Sequence, residues 1–224
     1  MPKSSSPATS RPEGGWRHWI ETALALDVPA ADQLAARDAR SLDSAGRPAG
    51  VLIAIEAGPE PLVYFTERSG QLKHHPGQIS FPGGRLEERD PDLATAALRE
   101  AEEEIGLDRR HVALLGPLPR YCTVTGFEIS PFVGWVDPAA TVVPDGIEVA
   151  RIFKVPLAYA ADAAHYRIHR RLRDGLEYHV YSIDFEGNHI WGATAGMLIG
   201  LAQRIALARG EAFTLAGAVQ ADDF

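Results

Sequence analysis

The sequence predicts a mixed α/β protein, and three observations carry that prediction. Two compact apolar runs, Val51–Glu56 and Leu62–Thr66, have the length of β-strands and are separated by a Gly-Pro turn. Apolar residues then recur at helical spacing up to Ile105, where Gly106 gives a natural stop. A second helical pattern covers about Ile190–Ala208, near the end of the chain.

The composition favours one globular domain in a reducing compartment. With 224 residues, 46% of them hydrophobic, the chain can bury a sizeable core. Its net charge of −8 argues against nucleic acid as a partner. No segment has the length and apolarity of a membrane span, and the N-terminus has no apolar signal core, so we expect a cytoplasmic protein without a membrane partner. Cys122 is the only cysteine and is expected to be a small core residue.

The N-terminal part holds no recognisable chemistry. Met1–Gly15 is rich in Ser, Pro and Gly and is expected to be disordered. The spacing of Trp and aliphatic residues predicts a short helix over Trp16–Leu26, which Pro29 should end. Ala30–Arg40 is the candidate for a second helix. We expect residues 16–224 to form one domain that includes this helical extension.

A polar, cationic loop follows the two predicted strands. Arg68–Pro76 carries Arg68, Lys73 and two adjacent histidines, His74 and His75. The cations could meet a phosphate or simply brace the loop. Adjacent histidines are weak evidence of a metal pair, because neighbouring side chains seldom point the same way.

A pair of glycines comes next. A short strand over Gln78–Phe81 is expected to lead into Gly83 and Gly84. Glycines here allow backbone amides and carbonyls to approach a ligand closely. The sequence does not continue as a Walker loop, because no Gly-Lys-Ser/Thr follows.

The helix that ends at Ile105 carries a cluster of carboxylates. Asp90 is predicted to cap its N-terminus, with Pro91 at the first helical position. At about 100° per residue, one face holds three carboxylates: Glu100, Glu103 and Glu104. Their repulsion, roughly 0.2–0.5 kcal/mol per exposed pair, would be relieved by a divalent cation such as Mg²⁺ or Mn²⁺, which takes oxygen ligands. The alternative is a solvated acidic face.

A second face of this helix is apolar. Ala94, Leu98, Ala101 and Ile105 form a stripe roughly 120° round from the acidic face. We expect this stripe to pack on the core, with Glu102 pointing away from the acidic face.

This stretch resembles the Nudix box, G-x5-E-x7-R-E-U-x-E-E-x-G-U, in which U is a bulky apolar residue. The matching positions are Arg99, Glu100, Glu103, Glu104, Gly106 and Leu107. The chain has one additional residue between Gly84 and Arg99, and Asp90 stands in place of the first Glu. A further departure is the small Ala101 at a U position. The lengthening is similar to that of the coenzyme A pyrophosphatase branch of the family.

A second motif supports the resemblance to that branch. Its pattern is roughly L-L-T-x-R-[SA]-x3-R-x3-G-x3-F-P-G-G, and the chain matches its spacing up to Gly84. Tyr64 and Phe65 replace the two leucines, and Lys73 replaces an arginine, which keeps the charge but loses the bidentate fork. The two motifs together span Tyr64–Leu107, about a fifth of the chain.

Further strands and a last helix follow the box. Strands are predicted over Val112–Leu118, Ile129–Val136 and Tyr178–Phe185. The charged stretch Asp162–Asp174 is either an exposed hairpin arm or the start of a strand. The opening of the last helix, Ile190–Ala195, also resembles the coenzyme A pyrophosphatase branch, and its role is expected to be structural.

The resemblance implies a fold and a reaction. The fold is the α/β/α sandwich of Nudix proteins, with a mixed β-sheet. The reaction is hydrolysis of a pyrophosphate bond, with Mg²⁺ or Mn²⁺ as the cofactor. Coenzyme A is implied as the substrate, giving 4′-phosphopantetheine and adenosine 3′,5′-bisphosphate. A homodimer is the oligomeric state suggested by family habit.

The resemblance also implies metal ligands. These are Glu100, Glu103 and Glu104. The carbonyl of Gly83 or Gly84 is the candidate for an additional ligand. In a box of this type no Ser, Cys or His nucleophile is needed.

Other matching residues take supporting roles in this interpretation. Arg99 would orient a ligand carboxylate by a charge-assisted bond. Either Glu100 or Glu148 would accept the proton of the attacking water, since a Glu from this later region often completes the site in Nudix enzymes. Arg68 and Lys73 would bind the phosphates of the substrate, or would only brace their loop.

Two alternative functions remain open at this point. The chain could be a Nudix hydrolase of another nucleoside diphosphate derivative, such as ADP-ribose, NADH or a dinucleoside polyphosphate. It could also be a catalytically silent Nudix fold that binds a ligand. The complete carboxylate triplet argues against the silent fold, whereas the Arg68–Phe81 motif is what separates coenzyme A from the other substrates.

Overall fold

The computed structural model describes residues 15–29, 46–123, 126–173 and 176–215. Its helices are α1 (Gly15–Ala25), α2 (Leu93–Ile105), α3 (Leu157–Ala160) and α4 (Gly192–Ala208), with short 3₁₀ turns at Arg109–His111 and Ala163–His165. Its strands are β1 (Arg47–Glu56), β2 (Leu62–Arg68), β3 (Ile79–Ser80), β4 (Gly83–Arg85), β5 (Val112–Pro117), β6 (Tyr121–Cys122), β7 (Phe127–Val136), β8 (Val149–Pro156), β9 (Tyr166–Arg173), β10 (Leu176–Phe185) and β11 (Asn188–Trp191). Of the disorder predicted over Met1–Gly15, residues 1–14 fall outside the described residues, whereas Gly15 begins α1. The candidate helix over Ala30–Arg40 also falls outside them.

The larger sheet is built around β1. On one side β7 runs parallel to it, from Arg47 paired with Phe127 to Glu56 paired with Val136. On the other side β2 pairs with it in the antiparallel sense at its last two residues, Ile55 and Glu56. β5 and β6 extend the sheet beyond β7, and β8 extends it beyond β2, all antiparallel. Because parallel and antiparallel pairs occur together, the predicted mixed sheet is confirmed.

The opening between β1 and β2 is filled by the segment that carries the two glycines. β3 pairs with β2, where Thr66 lies opposite Ser80. β4 pairs instead with β1, where Gly50 lies opposite Gly84. The chain therefore crosses from the neighbourhood of one strand to that of the other just before Gly83, and the glycines lie against the middle of the sheet.

Alternate side chains of β1 serve two separate cores, as the two-residue period of a strand requires. Val51, Ile53 and Ile55 point into a core that includes residues of α1, α4 and the second sheet. Leu52 and Ala54 point into the opposite core, which they share with α2. The sheet thus lies between helical layers, and the predicted α/β/α class is confirmed.

α2 packs closely on its side of the sheet. The predicted apolar stripe is confirmed where it meets the core, with Ala101 and Ile105 fully buried and Leu98 partly buried. Gly50 of β1 makes the close approach feasible, because a Cβ there would overlap the carbonyl oxygen of Leu93. The distance between α2 and the sheet is therefore set at this point by backbone contacts, with no side chain of Gly50 between them.

The prediction for α2 is confirmed at its C-terminal end and wrong at its N-terminal end. At the C-terminus Gly106 adopts the left-handed conformation, with φ 64°, as predicted. At the N-terminus the prediction was wrong, because Asp92 and not Asp90 is the cap. The N–H of Thr95 donates to Asp92 Oδ1 at 2.7 Å. Asp90 is unavailable for capping, since its carboxylate is bound by Arg99.

α4 covers the opposite face, together with α1 and a three-stranded sheet of order β11-β10-β9. Ile20 and Ala23 of α1 are fully buried in this core. Arg204 of α4 donates to the carbonyl oxygens of Ala23 at 3.3 Å and Leu26 at 2.8 Å. The predicted N-terminal helix is therefore present and is held against α4 at its C-terminal end.

The structure decides three smaller expectations, on Cys122, the start of α4 and the charged stretch after Asp162. Cys122 was expected in the core but is half-buried, next to the buried Tyr121 on β6. Ile190 and Trp191 were expected to open the last helix but belong to β11, and α4 begins at Gly192. The charged stretch after Asp162 forms β9. Across the described ranges, the structure has no helix with the length and apolar character needed to cross a membrane.

Candidate active site

Arg99 is buried at the centre of the acidic cluster of α2. Its Nη1 atom donates to Glu100 Oε1 and to Glu103 Oε2, each at 2.9 Å. Its Nη2 atom donates to the carbonyl oxygen of Arg85 on β4 at 3.1 Å. One guanidinium therefore fixes two of the predicted metal-binding carboxylates relative to the sheet.

Asp90 anchors the other edge of this guanidinium. The Nε and Nη2 atoms of Arg99 donate to its two carboxylate oxygens at 3.1 and 3.0 Å, and the N–H of Glu87 donates at 3.0 Å. The Asp90 side chain is only 2% exposed. The hydrogen bonds from Arg99 are the main reason why the pKa of Asp90 is lowered. The sequence reasoning missed this role, although Asp90 stands where the Nudix box has its first Glu.

Glu104 is the most deeply buried carboxylate of the predicted triplet, with 6% of the residue exposed. Burial, reinforced by the charge of Glu100, raises the pKa of Glu104 to about 8. The N–H of Gly83 donates to its Oε2 atom at 3.2 Å. Burial also raises the pKa of Glu100. Two neighbouring carboxylates that resist ionisation form a place that favours a cation.

The two glycines lie directly against these carboxylates. A Cβ on Gly84 would overlap the carboxylate of Glu100, and a Cβ on Gly83 would overlap the backbone of Gly50 and Val51. Gly84 therefore approaches the Glu100 side chain of α2 closely, whereas Gly83 approaches β1. Contact of either glycine with a ligand stays a prediction.

Glu103 is the outermost member of the triplet, with 48% of its side chain exposed. Its Oε1 atom accepts a hydrogen bond from Arg89 Nη2 at 3.0 Å, and its Oε2 atom accepts the bond from Arg99. Within the ranges that the structure describes, no three carboxylate, histidine or cysteine side chains are gathered closely enough to hold a metal ion. That Glu103 joins Glu100 and Glu104 at one ion therefore stays a prediction.

The chemistry of the cluster nevertheless fits a divalent cation. The predicted donors are carboxylate and carbonyl oxygens, which are the ligands that Mg²⁺ and Mn²⁺ prefer. Burial, together with the neighbouring carboxylates, raises the pKa values of Glu100 and Glu104, so their ionised forms would be stabilised by a nearby cation. Glu100, Glu103 and Glu104 therefore remain the residues predicted to hold the ion.

The loop between β7 and β8 brings Glu148 to the same cluster. Its charge contributes to the raised pKa values of Glu100 and Glu104, so it lies within electrostatic reach of both. Its carbonyl oxygen accepts the N–H of Ser69 at 2.8 Å, one residue beyond Arg68. Three stretches that are far apart in the sequence therefore meet at one place.

The cations of the upstream motif are placed differently from one another. Arg68 ends β2 at a bulge in its pairing with β8, and its charge reaches Glu104. Its N–H donates to the carbonyl oxygen of Gln78 at 2.9 Å and so closes the loop at its base. Lys73 lies in this loop and is exposed, as are the adjacent histidines. Arg68 is thus within electrostatic reach of Glu104, whereas Lys73 lies at an exposed position of the loop.

Comparison with known proteins gives the class to which this fold and cluster belong. Residues 46–167, more than half of the chain, match the family model for the NUDIX domain. The match runs from the start of β1 into β9, so it includes the helix, the glycine turn and the Glu148 loop. The chain therefore belongs to the Nudix hydrolase family.

Within that family, two bacterial relatives resemble the chain over most of their length. A protein of Cronobacter sakazakii, described as "Uncharacterized Nudix hydrolase NudL", is 38% identical over 162 residues, which are 71% of this chain and 83% of the relative. A protein of Photorhabdus laumondii with the same description is 36% identical over 166 residues, 74% of this chain and 89% of the relative. The similarity therefore concerns much more than the acidic helix.

Two solved structures show weaker similarity. A Nudix hydrolase from M. smegmatis, RenU, is 19% identical with a TM-score of 0.43, over 51% of this chain and 73% of that chain. A MutT/nudix family protein from Enterococcus faecalis is 10% identical with a TM-score of 0.46, over 72% of this chain and 62% of that chain. The family assignment rests on the sequence matches and not on these two structures.

Proposed function

We propose that this protein hydrolyses the pyrophosphate bond of coenzyme A to give 4′-phosphopantetheine and adenosine 3′,5′-bisphosphate, with Mg²⁺ or Mn²⁺ as the cofactor. Membership of the Nudix hydrolase family supports the class of reaction. The observation that carries the proposal is that Arg68, from the upstream motif, ends β2 within electrostatic reach of Glu104. A cation next to oxygen ligands suits a substrate that has two linked phosphates.

The proposed metal ligands are Glu100, Glu103 and Glu104. The carbonyl of Gly83 or Gly84 is proposed as an additional ligand. A bound Mg²⁺ or Mn²⁺ ion would neutralise phosphate charge and lower the pKa of a bound water. Arg99 holds the Glu100 carboxylate by a bond of 2.9 Å, so the orientation of this ligand is set by the protein itself.

The proton of the attacking water is proposed to pass to Glu148 or to Glu100. We favour Glu148, because one carboxylate oxygen of Glu100 already accepts the hydrogen bond from Arg99 at 2.9 Å and Glu100 is itself a proposed metal ligand. Glu148 is exposed in its loop, where a water can reach it.

The choice of coenzyme A depends on the upstream motif. The adenosine 3′,5′-bisphosphate half of coenzyme A has a second phosphate at a distance from the bond that is cleaved. More than one protein cation is therefore expected to contact the substrate. Arg68, beside the cluster, is proposed to bind the pyrophosphate, and the exposed Lys73 is proposed to bind the more distant phosphate.

Three further parts of the proposal rest on the sequence and the family resemblance. We propose a cytoplasmic location, on the ground that the chain has a single cysteine and so cannot form an internal disulfide. We also propose a homodimer. The chain from residue 16 to residue 224 is proposed to act as one domain.

The proposal is tested by measuring the hydrolysis of a panel of substrates with Mg²⁺ or Mn²⁺. The panel comprises coenzyme A, ADP-ribose, NADH and diadenosine polyphosphates. We expect kcat/KM for coenzyme A to exceed the next value by at least about tenfold, which corresponds to about 1.4 kcal/mol. Glu104→Gln should lower kcat by at least about a hundredfold, because it replaces a proposed metal-binding carboxylate by an amide that cannot ionise.

Glu102→Gln is the matched control for this substitution. Glu102 lies on the same helix but accepts hydrogen bonds from Arg109, at 2.9 Å to its Nε atom, outside the cluster. Its variant should keep kcat within about twofold of wild type, as surface substitutions usually do. If another substrate leads the panel, the coenzyme A assignment falls and the cluster assignment stands. If the folded, metal-loaded protein cleaves nothing, the enzyme proposal gives way to a ligand-binding Nudix fold.

A further inference from the structure

The turn that carries Glu148 is organised by a single side chain, that of Asp145. The Oδ1 atom of Asp145 accepts the N–H groups of Ile147 at 3.2 Å, Glu148 at 3.1 Å and Val149 at 2.8 Å. Its Oδ2 atom accepts the Glu148 N–H as well, at 3.1 Å. We infer that Asp145 is a positioning residue, which holds the turn from which Glu148 reaches the acidic cluster. This inference rests on the proposed function of Glu148 as the proton acceptor.

The backbone of Asp145 attaches the same turn to α2. Its N–H donates to the carbonyl oxygen of Glu104 at 3.0 Å, and the N–H of Val143 donates to that of Ile105 at 2.9 Å. These carbonyls belong to the last turn of the helix, which has no intrahelical partners for them. Asp145 therefore contacts the helix of the carboxylates with its backbone and the Glu148 turn with its side chain.

A contact on the far side completes the constraint. The carbonyl oxygen of Glu148 accepts the N–H of Ser69 at 2.8 Å, so the turn is bounded by α2 on one side and by the end of β2 on the other. The base of the turn is closed by the Gly146 N–H, which donates to the Val149 carbonyl at 3.1 Å. Glu148 thus lies between α2 and Arg68, which is proposed to bind phosphate.

Packing does little to hold this turn. Ile147 is 76% exposed, and Glu148 is exposed beside it. Val149 is buried, but it already belongs to β8. Because exposed side chains contribute little packing energy, the hydrogen bonds to Asp145 are the main restraint on the direction of Glu148.

The simpler interpretation is that Asp145 only stabilises the turn. A double-mutant cycle distinguishes this structural role from a role in positioning Glu148. Asp145→Ala removes every acceptor, whereas Asp145→Asn keeps an Oδ1 atom that can serve all three N–H groups. We expect Asp145→Ala to lower kcat for the best substrate by about tenfold or more, with KM within about threefold, as for a misplaced catalytic group. Asp145→Asn should restore most of the rate. In a Glu148→Gln background, Asp145→Ala should lower kcat by less than about twofold, because coupled residues are not additive.

A second readout does not depend on activity. In the metal-free protein, amide hydrogen exchange at Ile147, Glu148 and Val149 should accelerate in Asp145→Ala but not in Asp145→Asn. Asp162→Ala is the matched control, because Asp162 likewise accepts a backbone N–H, that of Ala164 at 2.9 Å, in the turn before β9. This variant should leave kcat and the exchange of the Glu148 turn unchanged.

The outcomes separate the inference from the proposed function. If Asp145→Ala lowers kcat equally with and without Glu148, or leaves kcat and amide exchange unchanged, the positioning role is overturned and the proposed function stands. If Glu148→Gln has the kcat of wild type, the role of Glu148 in the proposed function falls, and the inference about Asp145 falls with it. Loss of the Asp145→Ala effect in the Glu148→Gln background, with rescue by Asn, supports the inference.

Discussion

The two helices on opposite faces of the sheet each carry a buried arginine, and the two arginines differ in their partners. Arg99 and Arg204 are equally buried, each 7% exposed. Arg99 donates to the carboxylates of Asp90, Glu100 and Glu103, and the bond to Asp90 is the main reason why its pKa is raised. Arg204 donates to backbone carbonyls of and just beyond α1, and its burial lowers its pKa.

The comparison shows that burial alone does not define what a charged residue does. Arg99 donates to carboxylates, so it can stabilise their ionised forms and fix their orientation. Arg204 lies among backbone carbonyls at the C-terminal end of α1, and its effect is to join α1 to α4. The first arginine is therefore expected to matter for turnover and the second for stability.

Replacing each arginine by lysine is the strongest test of this contrast. Arg99→Lys keeps the charge but loses the fork that serves three carboxylates at once, so we expect kcat/KM to fall by about a hundredfold. Arg204→Lys should keep kcat/KM within about threefold of wild type and lower Tm, since it weakens the two bonds to α1. Steady-state kinetics and thermal unfolding of both variants give the comparison. Similar losses of activity in the two variants would contradict it.

The pair of aspartates before α2 tests the same contrast on a smaller scale. Asp90→Asn removes the charge that anchors Arg99, and we expect kcat to fall by about tenfold, as for a supporting residue of a metal site. Asp92→Ala removes the helix cap and should lower Tm while leaving kcat near that of wild type. Kinetics measured well below both Tm values distinguish the two effects. A variant of Asp92 with the larger loss of kcat would show that capping, and not the anchoring of Arg99, dominates.

The smallest expected effect is the response of stability to acid on the α2 side. Glu56 accepts a hydrogen bond from Lys154 Nζ at 2.6 Å and another from the Tyr64 hydroxyl. Burial opposes the ionised form, but these bonds outweigh it and lower the pKa of Glu56 below its ordinary value of 4.5. Since the folded pKa is the lower one, the stabilisation is complete above pH 4.5 and is lost as the pH falls through the folded value.

Glu56→Gln should therefore be less stable than wild type by about 1 kcal/mol at neutral pH, and this difference should shrink in acid. Denaturant unfolding of both proteins across the acid range measures it. Arg204→Lys, which keeps its charge, should differ from wild type by a constant amount over the same range. A difference for Glu56→Gln that persists unchanged in acid would contradict the assignment.

Local signals in the sequence explain which parts of this fold and site could be predicted. The C-terminal end of α2 was predictable, because Gly106 alone supplies the left-handed conformation that ends the helix. The N-terminal end was not, because Asp90 and Asp92 are equally good caps by residue type. What decides between them is Arg99, nine residues after Asp90 and in contact with it only once the helix has formed.

The same limit applies elsewhere in the site. Helical periodicity placed the Glu triplet on one face of α2, but the pairing of Glu103 with the exposed Arg89 depends on a loop whose course no local pattern specifies. β4 was not predicted as a strand, because glycines are poor strand formers and the pairing is imposed by the opening beside β1. Glu148 became a candidate only through the family resemblance. The turn that carries it is about forty residues beyond α2, so no local pattern could predict that Asp145 bonds to the end of that helix.

The loop between Arg68 and Gln78, closed at its base, has a consequence for the history of such enzymes. Because the two ends of the loop are joined by a backbone bond, its tip can lengthen, shorten or change sequence without moving Gly83, Gly84 or α2. If the tip contacts the substrate as proposed, mutations there can change which molecule is bound while the proposed metal-binding residues keep their positions. Under that proposal, relatives with the same acidic helix could differ in substrate through this loop alone.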